Sequence, residues 1–212
     1  MIKAVLFDFW GTLAENGTYS PLRQTYELFR LRIPFGNFVT SFEQVVMTKP
    51  YEDKKEAFTK ALDLLHRTPR GDQMEKLIGL WNKNVLLAKI YPETIEVLKE
   101  LKSKGIKLAL VSNTPSFTGH EILEKFDLEQ YFDVVMLSFE QGLLKTNPEF
   151  FQKTLDKLGV KKEEALMVGD SVPTDIKGAE NAGIKALLVD RQNKREYENK
   201  IQDLNAIFEH LE

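Results

Sequence analysis

The sequence predicts an α/β protein, a doubly wound parallel sheet with a separate helical unit, and three observations lead there. Five short apolar runs recur along the chain: Ala4-Val5-Leu6-Phe7, Leu108-Ala109-Leu110-Val111, Val134-Val135-Met136-Leu137, Ala165-Leu166-Met167-Val168 and Ala186-Leu187-Leu188-Val189. Segments of helical period lie between them. One long stretch, from about Thr18 to Ile90, breaks that rhythm.

Continuous apolarity over about 4–8 residues marks a strand covered on both faces, so each run is read as a buried strand. After the first strand, the stretch to Ile90 has no clear strand but many apolar residues at helical spacing, among them Leu22, Tyr26, Phe29, Phe58, Leu62, Leu77 and Trp81. Ile33-Pro34-Phe35-Gly36 and Thr68-Pro69-Arg70-Gly71 are turn chemistry within it and suggest an antiparallel helical bundle. Its aromatic stripe reads as core rather than as a substrate face. Helices are then expected over Pro92–Lys104, Phe117–Phe126, Pro148–Leu158 and Asp175–Ala182. Pro92 and Pro148 suit a first helical turn, and Gly105 and Gly183 suit the residue past a helix end. Strand and helix in alternation imply parallel pairing through right-handed crossovers. The tail from Tyr197 to Glu212 reads as a terminal helix. The division expected is a core of residues 1–16 and 91–212 with a helical unit of residues 17–90.

Composition narrows the function classes. With 212 residues, 42% of them hydrophobic, the chain can bury a substantial core. Its 29 basic and 32 acidic residues leave a net charge of −3, which provides no field for nucleic acid and no polybasic stretch for a membrane. The expected partner is a small anionic molecule held by local groups. There is no cysteine, so thiolate catalysis and cysteine metal sites are excluded and a metal must be held mainly by oxygen. The run Ile2–Phe9 is short and carries Lys3 and Asp8, which suits neither a signal peptide nor a span. A cytoplasmic location is expected.

Open parallel sheets bind ligands beyond the carboxyl ends of their strands, near the point where strand order reverses. Asp8-Phe9-Trp10-Gly11-Thr12 follows the first strand, Ser112-Asn113-Thr114 the second, Lys145-Thr146-Asn147-Pro148 comes somewhat after the third, and Gly169-Asp170-Ser171 with Asp175 follows the fourth. Each has an ordinary rival role. Asp8 suits a strand-end turn, Ser112 and Asn113 a helix cap, Asp170 and Asp175 turn and cap positions, and Lys145 a solvated surface charge.

Taken together and in this order, these residues resemble the motifs of the haloacid dehalogenase superfamily, over a span from Asp8 to Asp175. The resemblance implies a Rossmann-like core with an early helical cap domain, and a hydrolase in which Asp8 is the nucleophile. It further implies that Gly11 and Thr12 shape the loop, that Ser112 and Lys145 hold a phosphoryl group with Asn113 and Thr12 nearby, and that Asp170 and Asp175 serve a metal. Phosphoryl oxygens repel an attacking carboxylate, so the site must first neutralise charge. Magnesium suits an all-oxygen set of Asp8, Asp170, Asp175 and the backbone carbonyl of Trp10. The expected reaction is hydrolysis of a small phosphate monoester.

One position departs from the pattern. The family's phosphatases carry a second aspartate two residues after the nucleophile, as acid to the leaving group and base to water; here stands Trp10, whose indole cannot exchange a proton in that role. General acid–base assistance is worth about 10²–10⁴-fold, so activity on Trp10 alone should favour good leaving groups. Glu15, a cap residue or a metal-bound water are candidate replacements. Two alternatives follow. In a 2-haloacid dehalogenase an aromatic at this position is usual and halide leaves without a proton, but Asp170 would repel the substrate carboxylate. In a phospholigand-binding module, Trp10 would mark lost catalysis. A phosphonatase would need a lysine from Lys49, Lys54, Lys55 or Lys60, which read as surface charges. Arg23, Arg30, Arg32 and Lys49 are the cap cations that stand as candidates for substrate contact, with hinges expected at Asn16-Gly17 and Ile90-Tyr91-Pro92.

Overall fold

The computed structural model describes residues 1–15 and 20–212, so the hinge expected at Asn16-Gly17 lies outside the described residues. Strand β1 (Ala4–Phe7) is followed by four helices, α1 (Pro21–Leu28), α2 (Phe35–Val46), α3 (Lys54–Leu64) and α4 (Gln73–Leu86). Then come α5 (Thr94–Ser103), β2 (Lys107–Ser112), α6 (Ser116–Lys125), β3 (Val134–Leu137), the single turn α7 (Ser138–Gln141), α8 (Pro148–Leu158) and β4 (Ala165–Gly169). A turn of π-helix at Val172–Ile176 leads into α9 (Lys177–Asn181), then β5 (Lys185–Val189), β6 (Lys200–Ile201) and a 3₁₀ segment, Leu204–His210.

Among the described residues, six strands form one parallel sheet in the order β3-β2-β1-β4-β5-β6. The chain winds outward from β1 in one direction and, after β4, in the other, so the reversal lies between β1 and β4. There Phe7 pairs with Leu110 on one side and Val168 on the other.

Both faces of the sheet are covered, which is why the strands read as unbroken apolar runs. Val5, Phe7, Leu108, Leu110 and Val168 pack with Leu98 and Leu101 of α5 and Ile122 of α6. Ala4, Leu6, Ala109, Met136 and Met167 pack on the other face with Phe150, Phe151 and Leu155 of α8. Alternate side chains of a strand face opposite ways, so one four-residue strand serves both cores.

The helices of residues 21–86 have a third core of their own, in which Phe38, Phe42, Phe58, Leu62, Leu77 and Trp81 are buried. The aromatic stripe is therefore core. Phe42 stacks on Trp81 at 5.8 Å, and Phe117 of α6 meets Phe58 edge-on at 5.5 Å. That contact joins the third core to the sheet domain. The two connecting segments also pair: Glu15 N–H donates to Lys89 O at 2.8 Å and Tyr91 N–H to Leu13 O at 3.0 Å.

Four local expectations need correction. The tail is not a helix from Tyr197: Lys200-Ile201 adds a strand to β5, and Leu204 and Ile207 then anchor a 3₁₀ turn. A two-residue strand is too short to show a period. Pro92 precedes the cap of α5, Glu93, instead of opening its first turn. Phe35 and Gly36 lie inside α2, because Pro34 acts as its N-cap. Ser112 and Asn113 do not cap α6, which begins after Pro115 without a side-chain cap.

Candidate active site

Asp8 stands one residue past β1, and its backbone N–H donates to Val168 O at 2.9 Å, which fixes it at the point of strand reversal. The chain then turns sharply. The Phe9 carbonyl accepts from the amides of Leu13 and Ala14 at 2.9 and 3.0 Å, and Gly11 takes a φ of 80°, a conformation that disfavours any side chain. Thr12 is brought back over Asp8, and its Oγ1 lies 3.4 Å from Asp8 Oδ2.

Lys145 comes from the segment before α8 and is 2% exposed. Its Nζ lies 2.5 Å from Asp8 Oδ1 and 2.5 Å from Asp175 Oδ1. The solvated-lysine role is thereby overturned. Asp175 is completely buried in the π-helical turn and accepts from Ser171 N–H at 2.9 Å, so it is not the cap of a helix. Gly169 explains how it gets there: a Cβ at that residue would lie 2.3 Å from Asp175 Oδ2. Asp170 is half-buried, with Arg195 donating to its backbone carbonyl. It stands on the wall of a cavity of about 510 Å³ shared with Gly11, Glu15, Tyr91 and Arg191.

Ser112 is buried at the end of β2, the strand that pairs with β1 on the side away from β4. Asn113 follows it and does two things at once. Its Oδ1 accepts the Lys145 backbone N–H at 3.0 Å, and its Nδ2 donates to Glu43 Oε2 at 3.1 Å. Glu43 belongs to α2, in the helical unit, and no sequence signal distinguished it from its neighbours. Arg23 pairs with Glu27, while Arg30, Arg32 and Lys49 are exposed. Among the suspected lysines, Lys54 contacts Asn82 and Lys60 pairs with Glu56, as surface charges do. The Trp10 ring is half-buried and meets Phe9 edge-on at 4.9 Å.

Charge in this cluster is unbalanced. Asp8, Asp170 and Asp175 each present an oxygen within 4.8 Å of the others, against one buried ammonium and the more exposed Arg195 guanidinium 4.0 Å from Asp170. Burial and the charge of Asp175 push the Asp8 carboxyl up to about 6, with Lys145 opposing. Burial and the charges of Asp8 and Asp175 push Asp170 up to about 8. Burial works against the charged form of Lys145, yet Asp175 and Asp8 hold its pKa well above the usual range. An excess of hard oxygen donors held this close suits a small divalent cation.

The chain matches the haloacid dehalogenase-like hydrolase family over residues 2–183. It is 31% identical to the glyceraldehyde 3-phosphate phosphatase of Methanothermobacter thermautotrophicus, covering 91% of this chain and 87% of that protein. The structure of a HAD phosphatase from Thermococcus onnurineus superposes with a TM-score of 0.66 at 28% identity, covering 99% of this chain and 98% of that one. A 2-haloacid dehalogenase from Pseudomonas syringae pv. Tomato DC3000 shares the fold at a TM-score of 0.66 and 21% identity, over 100% of this chain and 98% of that one.

Proposed function

The chain belongs to the haloacid dehalogenase-like hydrolases, and within that family we propose that it is a magnesium-dependent phosphatase of small phosphate monoesters. The observation that carries this reading is the acidic excess around Lys145: three close carboxylates, of which Asp170 has no place in a site built for a haloacid's own carboxylate. The phosphatase relatives support it.

Asp8, Asp170 and the Trp10 carbonyl would hold the ion, with Asp175 completing the set or orienting a water. When bound, magnesium offsets the negative charge of the phosphoryl group and of the carboxylates around it. Asp8 attacks phosphorus in line, forming the Asp8 oxygen–phosphorus bond as the bond to the leaving oxygen breaks. Lys145 and Ser112 hold phosphoryl oxygens, Lys145 also keeps Asp8 ionised, and Thr12 and Asn113 fix the loops that carry them. Water then cleaves the acyl phosphate on Asp8 and releases phosphate. Residues 17–90 act as the cap over a core of residues 1–16 and 91–212, hinging where residues 13–15 and 89–91 pair. Closure excludes water from the reacting centre.

The test is an assay on p-nitrophenyl phosphate and 2-chloropropionate, each with magnesium and with chelator, beside Asp8→Asn. Phosphate release that needs magnesium and disappears in the variant is expected. Chelator-resistant chloride release would transfer the chain to the dehalogenases, a reading favoured by the aromatic residue at position 10. Tight phosphoester binding without turnover would mark a binding module.

A further inference from the structure

Trp10 leaves the reaction without its usual proton donor, and the helical unit places a different carboxyl at the site. Glu43 is 8% exposed, on the edge of the α2 face whose Phe38, Phe42 and Val46 form the third core. Its neighbours across the junction are core residues, with Asn113 giving it a hydrogen bond and Lys145, Asp175 and Asp8 close enough to act on its charge. We propose that Glu43 is the general acid that protonates the leaving oxygen, and then the general base that activates water, in place of the carboxylate missing at position 10. This rests on the phosphatase reading.

Direction supports the assignment. In-line attack by Asp8 puts the leaving oxygen on the face of the phosphorus turned away from β1. A group serving that oxygen must come from an element other than β1, and Glu43 stands on α2 in the helical unit, tied to the end of β2 through Asn113. Asn113 holds it in register with the nucleophile, because the same amide accepts from the backbone of Lys145, whose Nζ contacts Asp8.

A role in docking alone does not account for the residue type. A strut to Asn113 needs only a neutral acceptor, and a glutamine would supply one without bringing a further carboxyl near Asp8 and Asp175. Burial raises the Glu43 pKa to about 7, with Asp175 and Asp8 adding to the rise and Asn113 and Lys145 opposing it. A carboxyl so placed is partly protonated at neutral pH, where an acid that must also act as a base works best.

The proton balance closes. As the Asp8–phosphorus bond forms and the ester bond breaks, the Glu43 proton passes to the leaving alkoxide. Glu43 then takes a proton from the water that attacks phosphorus, the bond to Asp8 breaks, and the starting state returns.

Glu43→Gln separates the two roles, since its amide oxygen still accepts from Asn113. With saturating magnesium, turnover of glycerol phosphate, whose alkoxide needs a proton, should fall about 10²–10⁴-fold. Single-turnover release of nitrophenolate from p-nitrophenyl phosphate should stay within about 3-fold of wild type, because that leaving group departs unprotonated. A burst followed by a slow phase should appear as the acyl phosphate waits for its base. Equal losses on the two esters, or glycerol phosphate turnover at the wild-type rate in a folded variant, would overturn the proposal. Wild-type protein that cleaves neither ester would instead remove the phosphatase reading, and this assignment with it.

Discussion

Lys145 joins two carboxylates that would otherwise repel, and its removal states the energetics of the site. A buried ammonium 2.5 Å from both Asp8 and Asp175 is costly to desolvate, and the acids it leaves behind would be costlier still. Lys145→Met should lower metal-free stability by about 3–5 kcal/mol in urea unfolding. A loss under about 1 kcal/mol would mean that the acids simply protonate. Gly169 works by what it lacks. With Asp175 Oδ2 2.3 Å from the place of its absent Cβ, Gly169→Ala must push that carboxylate aside. Asp175 is expected to orient the metal site, and misplacing such a residue typically weakens metal affinity about 10–100-fold. Magnesium titration of activity should show this shift, and an unchanged half-saturation point would count against a metal role for Asp175.

At the scale of elements, the junction between the helical unit and the sheet is aromatic. Phe58 is fully buried, facing Phe42 and Trp81 on one side and Phe117 of α6 on the other. Phe58→Ala leaves a cavity that rigid neighbours cannot fill, and it should cost about 3–5 kcal/mol by chemical denaturation. Because this packing also sets how α2 lies on the core, the same variant should reduce turnover through Glu43. Full activity in a destabilised variant would separate the two. Several elements were legible in advance. The apolar runs of β1 to β5 and the proline at the start of α8 are local signals with local causes. The strand β6 was not, since Lys200-Ile201 is held by the exposed edge of β5 and by no pattern of its own.

For the whole molecule, the acidic centre links stability to pH and metal. The folded-state pKa values of Asp8, Glu43 and Asp170 are raised to about 6, 7 and 8. Their stabilising effect is fully present below the unfolded carboxyl range near pH 4 and is lost as pH climbs through those values, because the unfolded chain has by then released the protons. Chelated protein should therefore lose Tm between about pH 5 and pH 8, while magnesium, which needs ionised ligands, should restore more of it at the higher pH. Thermal melts at several pH values, with and without magnesium, test this. A magnesium-induced rise in Tm that is largest near pH 5 would contradict the link.

The sequence by itself determined the parallel sheet, the positions of its first five strands and the residues that follow them, because strand burial and turn chemistry are written within a few neighbouring positions, whereas the order of the strands in the sheet came only from the structure. It also marked Trp10 as the departure from the family's pattern. What meets those strand ends was decided only by tertiary structure. Lys145 between Asp8 and Asp175, the Asp175 carboxylate in the space left by Gly169, and Asn113 tied both to Lys145 and to Glu43 are contacts between residues far apart in the chain. A single glutamate on an amphipathic helix carries no periodic signal, and whether it faces water or the reaction depends on how that helix is docked.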